Sequence, residues 1–198
     1  MNINSLMKIG LYFGSFNPIH NGHLIIANFL LNETDISKIW FIVSPQNPFK
    51  QNNNLLNEYD RLHLVRLAIQ DDIRLKVSDA EFSLPKPSYT ANTLIYLTEK
   101  YPENNFSIIM GSDSYQNIDK WKNYKSIIKN YPIYIYKRPG FDITEIRNAD
   151  IALFDAPLLE ISATQIRDYI RKKKSIRYLV PESVREEIET RRFYKKGV

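Results

Sequence analysis

Two of the chain's three histidines lie close together in residues 14–23, whose sequence is GSFNPIHNGH. Side chains three residues apart at a helix start share one face, so the rings of His20 and His23 can point the same way. Gly14 allows the backbone to approach a ligand closely, and Gly22 leaves room between the two imidazoles. Free N–H groups at a helix start attract anions, and imidazoles can donate hydrogen bonds to them or gain a proton as charge develops. This segment therefore predicts a polyphosphate site.

The alternatives for the histidine pair are a metal site or two incidental surface residues. Histidine pairs that bind metal on a helix usually lie four residues apart with a carboxylate nearby, which this segment does not provide. The chain also lacks the GxGxxG pattern of dinucleotide-binding folds and the Gly-Lys-Ser/Thr of a Walker loop. The concentration of histidines in one turn favours a functional role, whereas His63, in the middle of a predicted helix, is expected to be structural.

A second cluster of polar residues occupies residues 161–167, with the sequence ISATQIR. Ser162 is a typical helix N-cap, and Gln165 would complete a capping box. Thr164 and Arg167 lie one turn into the helix and can face the same way. A capped helix alone would explain Ser162, but a hydroxyl, a guanidinium and a helix N-terminus together predict a second phosphate-binding group.

The elements that position these motifs follow from the apolar pattern. Short apolar runs alternate with longer segments of helical period, which predicts an α/β fold: a Rossmann-like open parallel sheet with helices on both faces and a C-terminal helical segment. The predicted buried strands are residues 9–13, 39–44, 73–77, 106–110, 133–136 and 151–154. The predicted helices are residues 23–31, 59–69, 91–101, 124–129, about 163–173 and about 181–191.

The chain shows no repeat and no linker that would divide it. We expect a single nucleotide-binding domain over residues 1–198, with a core of about 7–160 and a C-terminal helical segment of about 161–198. An open parallel sheet binds ligands beyond the carboxyl ends of its strands. The segments expected to carry the chemistry are residues 14–23, 45–50, 111–113 and 137–140.

Composition narrows the class of protein further. The chain has 198 residues and no cysteine, which excludes disulfides, thiolate zinc sites and a cysteine nucleophile, and fits a cytoplasmic location. We identify no signal peptide, and the longest apolar run, residues 24–31, is too short to cross a bilayer. The net charge is +5, and residues 167–196 carry eleven basic and five acidic side chains. This basic segment indicates an anionic partner or a solvated helical face.

The two motifs resemble known signatures. Residues 20–23 resemble the (H/T)xGH signature of the nucleotidyltransferase α/β superfamily, and residues 161–167 resemble its ISxTxIR signature. Within that superfamily the chain is similar to bacterial nicotinate-nucleotide adenylyltransferases over essentially its whole length. The further matching segments are residues 45–50, 87–91, 93–94, 111–113, 121, 137–140 and 179–181. Several members of the family have an aromatic residue directly after the matching tryptophan, where this chain has Lys122.

The resemblance implies a role for each matching residue. His20, His23 and Arg167 would be catalytic. The residues implied around ATP are Gly14, Ser15, Phe16, His20, His23, Gly111, Asp113, Ser162, Thr164 and Arg167. The residues implied around a pyridine mononucleotide are Lys50, Tyr89, Thr90, Trp121 and Arg138, of which Lys50 and Arg138 would be mobile or peripheral phosphate contacts. Asp113 could otherwise be a helix cap, and Tyr89 and Trp121 could be ordinary packing residues.

The reaction implied is in-line attack by the phosphate of nicotinate mononucleotide on the α-phosphorus of ATP, in NAD biosynthesis. Such chemistry requires positioning and charge stabilisation, and the motifs supply cations, hydroxyls and helix ends. We assign no covalent nucleophile and no protein metal site, and we expect Mg²⁺ to arrive with ATP. We expect no nucleic-acid or membrane partner, while a homo-oligomer stays open.

Three alternative functions stay open at this point. A sister adenylyltransferase would act on nicotinamide mononucleotide or phosphopantetheine. A nucleic-acid-binding protein would use the basic tail, with binding that falls steeply as salt rises. An NAD-dependent dehydrogenase is disfavoured by the absence of the glycine fingerprint.

A preference for nicotinate over nicotinamide would fit a site that is rich in hydrogen-bond donors. We predict Thr90 as the N-cap of a helix that begins at Ala91, so that free N–H groups of this helix would point toward the ring carboxylate, with Trp121 and Lys122 nearby.

Overall fold

A computed structural model describes residues 6–46, 55–144, 149–157 and 159–195. Six strands form one parallel sheet in the order β3-β2-β1-β4-β5-β6. The strands are β1 (Met7–Gly14), β2 (Lys38–Val43), β3 (Leu75–Ser78), β4 (Asn104–Gly111), β5 (Ile133–Tyr136) and β6 (Ile151–Phe154). The helices are α1 (Asn21–Glu33), α2 (Glu58–Ile69), α3 (Thr90–Lys100), α4 (Ser112–Tyr115), α5 (Tyr124–Asn130), α6 (Ala163–Arg171) and α7 (Glu182–Thr190), with short 3₁₀ turns at Ala80–Ser83 and Ile118–Lys120.

The strand side chains alternate between two cores, one on each face of the sheet. Along β2, Phe41 joins the core that includes residues of α1, α2, α6 and α7, while its neighbour Ile42 joins the core that includes residues of α3 and α5. Because both faces are covered by helices, the buried parts of the central strands carry apolar side chains toward both faces, as expected of a parallel sheet. The prediction of an open parallel α/β sheet with helices on both faces is confirmed.

The two outer strands differ from their predictions. β3 and β6 lie at the edges of the sheet and are only partly buried, so the prediction of buried strands was wrong there. Ile73, predicted to begin β3, lies in the preceding turn with 93% of its surface exposed. The carboxylate of Asp72 accepts hydrogen bonds from the backbone and side chain of Arg74 and holds that turn, so the strand starts two residues later.

The strand order reverses between β1 and β4, which are direct neighbours in the sheet although two strands separate them in sequence. In an open parallel sheet a crevice forms beyond the carboxyl ends of the strands at such a reversal. Gly14 ends β1 and Gly111 ends β4, so both motif glycines lie at this crevice. Among the described residues, no helix is long and apolar enough to span a membrane.

Candidate active site

The histidine pair forms where the loop after β1 enters α1. His20 is the N-cap residue, with extended backbone angles, and His23 lies in the first turn. Their rings stack with centroids 3.7 Å apart, and the backbone N–H of His20 donates to Nδ1 of His23 over 3.3 Å. Because that nitrogen accepts a hydrogen bond, a neutral His23 carries its proton on Nε2. The predicted sharing of one face is confirmed, and a Cβ at Gly22 would lie 3.1 Å from Nδ1 of His20.

Both histidines are held neutral at pH 7. Burial, together with the charge of Arg138, lowers the pKa of His20 to about 4. Burial also lowers the pKa of His23 well below its usual value, and the neighbouring His20 and Arg138 act in the same direction. The pair therefore offers uncharged N–H donors, and a bound polyanion would raise both pKa values toward protonation.

The second motif meets the first through one guanidinium. Ser162 is the N-cap of α6, and its hydroxyl accepts from the backbone N–H of Gln165 over 3.1 Å. Arg167 donates from Nη1 to the backbone carbonyl of Asn17 over 2.7 Å and from Nη2 to the hydroxyl of Thr164 over 3.1 Å. Thr164 and Arg167 thus face the same way, as predicted, and α6 is attached to the loop after β1.

The capping box predicted for α6 is incomplete. The side-chain amide of Gln165 donates to the hydroxyl of Tyr169, one turn further on, over 3.4 Å. The amide is therefore drawn along the helix toward Tyr169, and only the Ser162 half of the box forms. The side chain of Gln165 can pair either with the backbone N–H of Ser162 or with the hydroxyl of Tyr169. The sequence pattern alone does not decide between these two partners.

The end of β4 holds an ion pair that borders the histidines. The carboxylate of Asp113, in the first turn of α4, lies 3.5 Å from Nη1 of Arg138. A Cβ at Gly111 would lie 2.4 Å from that carboxylate and 3.1 Å from Nε of Arg138, so glycine is required for the pair to lie against the strand end. The backbone N–H of Arg138 also donates to the hydroxyl of Ser112 over 2.9 Å, which joins the ends of β5 and β4.

A cavity of about 160 Å³ opens beside these groups, at the carboxyl ends of β1 and β4. Its walls contain three residues that the sequence assigns to the mononucleotide, namely Tyr89, Thr90 and Trp121. Lys122 also lines it, with its ammonium 4.6 Å from the centroid of the Tyr89 ring. The cavity is thus lined by aromatic side chains with a cation at its wall, which suits a planar ring that bears a carboxylate.

The helix start at this cavity differs by one residue from the prediction. The N-cap of α3 is Tyr89, and Thr90 is the first helical residue. The hydroxyl of Thr93, and not that of Thr90, donates a hydrogen bond to the carbonyl of the N-cap residue Tyr89, over 3.3 Å. Thr90 therefore lines the cavity from inside the first turn, where the free N–H groups of the helix lie.

Tyr12 connects the cavity to the histidines. Its side chain, near the end of β1, lines the cavity, and its ring lies 6.0 Å from the ring of His23 in an edge-to-face arrangement. Its hydroxyl is hydrogen-bonded to that of Tyr136 over 3.2 Å, and burial raises its pKa. The histidine site and the aromatic cavity are therefore neighbouring parts of one crevice.

Other predicted residues lie in different surroundings. The Phe16 ring is 2% exposed and belongs to the hydrophobic core, packed against Gly14, so any contact of Phe16 with a nucleotide would come from its backbone. Arg138 lies beside Asp113 rather than among the residues that line the cavity. Lys50 lies outside the described residues.

Two buried charged residues were missed by the sequence reasoning. Glu81 lines the cavity, where its carboxylate accepts hydrogen bonds from the hydroxyls of Ser88 and Thr93 over 2.6 and 3.0 Å, and burial raises its pKa. Arg61, on α2, is fully buried. The sequence carries a signal for the burial of Arg61, because this charged residue lies on the apolar helix face that continues with Leu64 and Val65.

Comparison with known proteins tests the family that the two motifs predicted. The model of the cytidylyltransferase-like family matches residues 11–169. A probable nicotinate-nucleotide adenylyltransferase of Cytophaga hutchinsonii is 50% identical over 189 residues, covering 95% of this chain and 98% of the relative. The corresponding protein of Flavobacterium psychrophilum is 49% identical, over 96% of this chain and the full length of the relative.

The chain belongs to the nicotinate-nucleotide adenylyltransferase family. This confirms the predicted family and the prediction of a nucleotidyltransferase enzyme. Among solved structures, the fold is similar to that of the Plasmodium falciparum nicotinic acid mononucleotide adenylyltransferase complexed with NaAD. The TM-score is 0.80 and the identity 22%, over 95% of this chain and 97% of the other. The two chains thus share a fold, although their sequence similarity is low.

Proposed function

We propose that this chain transfers the adenylyl group of ATP to the phosphate of nicotinate mononucleotide, releasing pyrophosphate and forming nicotinate adenine dinucleotide. The observation that carries the proposal is the contact between two sites of different chemistry. A histidine pair with an arginine, suited to phosphate, adjoins an aromatic cavity, suited to a pyridine ring, and Tyr12 is common to both. Relatives that are up to 50% identical bear the name of this activity.

We assign MgATP to the histidine side of the crevice. On this assignment His20, His23 and Arg167 would donate to the triphosphate, and the backbone of Gly14 and Ser15 and the first turn of α6 would lie alongside. Buried polar atoms are normally paired, yet Nε of Arg167 has no hydrogen-bond partner among the described residues, which supports a polar ligand there. Mg²⁺ belongs to this substrate, because it keeps several waters and is bound chiefly by phosphate oxygens.

We assign the pyridine mononucleotide to the aromatic cavity. Trp121 would stack on the ring, and the N–H groups of the first turn of α3 would receive the ring carboxylate, with Lys122 adding positive potential. Arg138 and Lys50 are the candidates for contacts to the mononucleotide phosphate. Asp113 would lie on the ATP side of Arg138, where their ion pair sets the position of both.

With both substrates bound in this way, adenylyl transfer requires only that the reacting atoms are aligned and that the developing charge is stabilised. An oxygen of the mononucleotide phosphate attacks the α-phosphorus of ATP, the new P–O bond forms, and the bond to the bridging α–β oxygen breaks, so that the electron pair leaves with pyrophosphate. The Nε2–H of His23 donates to the phosphate oxygens as negative charge develops, and the low pKa of the free histidine pair rises as that charge approaches. Arg167 holds its charge throughout.

We propose that the C-terminal helical segment is part of the ATP site. Arg167 of α6 binds the carbonyl of Asn17 in the loop after β1. The backbone N–H and the side-chain amide of Asn21 donate to the carbonyls of Leu179 and Tyr178, over 2.9 and 2.7 Å. Both contacts attach residues after 160 to the segment that carries the histidines.

A substrate panel tests the proposal. Pyrophosphate release from ATP is measured with nicotinate mononucleotide, nicotinamide mononucleotide and phosphopantetheine as acceptors, and the dinucleotide is identified by chromatography. We expect the fastest turnover with nicotinate mononucleotide. Turnover with phosphopantetheine alone would contradict the assignment of the aromatic cavity.

A further inference from the structure

Arg61 lies behind the crevice, and its side chain donates to four backbone carbonyls in the part of the chain that the structure describes. Nη1 donates to the carbonyls of Ser15 and Ser44, over 2.6 and 2.7 Å, and Nη2 donates to that of Pro45 over 3.0 Å. Nε donates to the carbonyl of Leu56 over 2.8 Å. The side chain is 0% exposed, so it has no direct access to a substrate.

Two of the four carbonyls come from the two substrate sites, and the other two flank the segment that carries Lys50. Ser15 follows β1 in the loop that we assign to MgATP, whereas Ser44 follows β2 and lines the aromatic cavity. Pro45 and Leu56 lie on either side of residues 46–55, the segment that carries Lys50. A single nitrogen, Nη1, is therefore shared between the loop on the ATP side and the wall on the mononucleotide side.

This contact needs a guanidinium. A buried cation is costly unless its donors are paired. The planar guanidinium of Arg61 pairs all three of its nitrogens with backbone carbonyls. Lysine would place a compact ammonium with a different donor geometry at the same point, and it loses its proton more readily when buried. Core packing of α2 alone would be satisfied by an apolar side chain, such as those of its neighbours Leu64 and Val65.

We propose that Arg61 is a positioning residue that sets the distance between the MgATP loop and the mononucleotide cavity. The inference rests on the proposed function. In-line attack requires the reacting atoms to be about 3–3.5 Å apart and aligned, and a displacement of about 1 Å can reduce the rate about 10²-fold. Loss of the shared Nη1 contact changes how the two substrates meet, while each site keeps its own binding groups. The defect therefore appears in kcat more than in the affinity for either substrate alone.

The test compares Arg61→Lys with Arg66→Lys, a matched change at an exposed position on the same helix. Dissociation constants for MgATP and for nicotinate mononucleotide are measured separately by calorimetry, and kcat is measured at saturation. For Arg61→Lys we expect kcat to fall about 10²-fold and each dissociation constant to change less than about 3-fold. For Arg66→Lys we expect no change in any of the three. A kcat for Arg61→Lys within about 3-fold of wild type would overturn the proposal, as would weakened binding that fully accounts for the loss.

A second variant separates positioning from folding. Arg61→Ala leaves a space that added methylguanidinium can enter, and circular dichroism establishes which variants are folded. We expect methylguanidinium, but not methylammonium, to restore kcat of Arg61→Ala at least about 10-fold, because only the guanidinium reproduces the fork. Equal effects of both cations, or of neither, on folded protein would contradict the proposal, and so would failure of both variants to fold with methylguanidinium present. If wild-type protein makes no dinucleotide, the proposed function fails instead.

Discussion

His20 and His23 stack with their ring centroids 3.7 Å apart, and the backbone of the first hydrogen-bonds to Nδ1 of the second. This arrangement fixes the tautomer of His23 and directs its remaining N–H away from its own helix turn. Burial keeps both rings uncharged in the free protein, so their charge becomes available only when an anion arrives.

Replacement of His23 by alanine removes the donor that Nε2 provides. We expect His23→Ala to lower kcat about 10²-fold or more, comparable to the loss of one oxyanion-hole donor, with a smaller change in the affinity for ATP. Steady-state kinetics with both substrates varied would show it. The matched control is His63→Ala, since His63 pairs with Glu187 on α7, away from the crevice. Full turnover by His23→Ala, or an equal loss in His63→Ala, would contradict the role of the pair.

The low pKa of His20 predicts how stability depends on pH. As pH falls below about 6.5 the unfolded chain gains a proton on this residue, whereas the folded chain resists it until about pH 4. Stability is therefore full above pH 6.5 and is lost between pH 6.5 and 4, by an amount on the order of 3 kcal/mol for this group. We expect His20→Asn to flatten the fall in Tm over that range, as measured by thermal melts at pH 7 and pH 4.5. Parallel curves for the variant and wild type would disprove the assignment.

Arg167 provides a test of the basic C-terminal segment. The Arg167 side chain binds the carbonyl of Asn17 and the hydroxyl of Thr164, whereas Lys173 is exposed after the end of α6. We expect Arg167→Ala to raise the KM for ATP about 10-fold or more, in line with the loss of charged hydrogen bonds, and Lys173→Ala to leave it unchanged. If both variants weaken ATP equally, the segment acts as a general anion-binding surface. Arg171, Arg177, Arg185 and Arg191 are already paired with nearby carboxylates.

Much of the fold could be predicted because its signals are local. In the described parts of the chain, all six strands and six of the seven helices follow from apolar runs and helical period, and the two phosphate motifs follow from spacing within one turn. α4, only four residues long, has too few residues to show a period. The position of β3 was misjudged because Ile73 is apolar, while the Asp72–Arg74 turn that exposes it depends on side-chain hydrogen bonds.

The site was harder to predict where its residues act through long-range contacts. His20 and His23 could be recognised because their interaction spans three residues. The apolar helix face around Arg61 indicates that this residue is buried, but the partners of Arg61 and Glu81 could not be predicted, since they are brought close only by the folded sheet. Arg61 meets the carbonyl of Ser15, 46 residues away, and backbone acceptors of this kind leave no mark in the sequence.

The preference between two pyridine nucleotides depends on the groups around the cavity. Nicotinate carries a carboxylate where nicotinamide carries an amide. The first turn of α3 presents N–H donors and Lys122 adds a cation, so the N–H groups of an amide would face donors of the same polarity. A site that depends on such hydrogen bonds can discriminate by several powers of ten.

Adenylyl transfer to nicotinate mononucleotide is therefore tested most directly by comparing kcat/KM for the two mononucleotides with ATP held at saturation. We expect kcat/KM for nicotinate mononucleotide to exceed that for nicotinamide mononucleotide at least ~10²-fold. Equal values for the two substrates, or a preference for the amide, would contradict a carboxylate-binding site in the aromatic cavity.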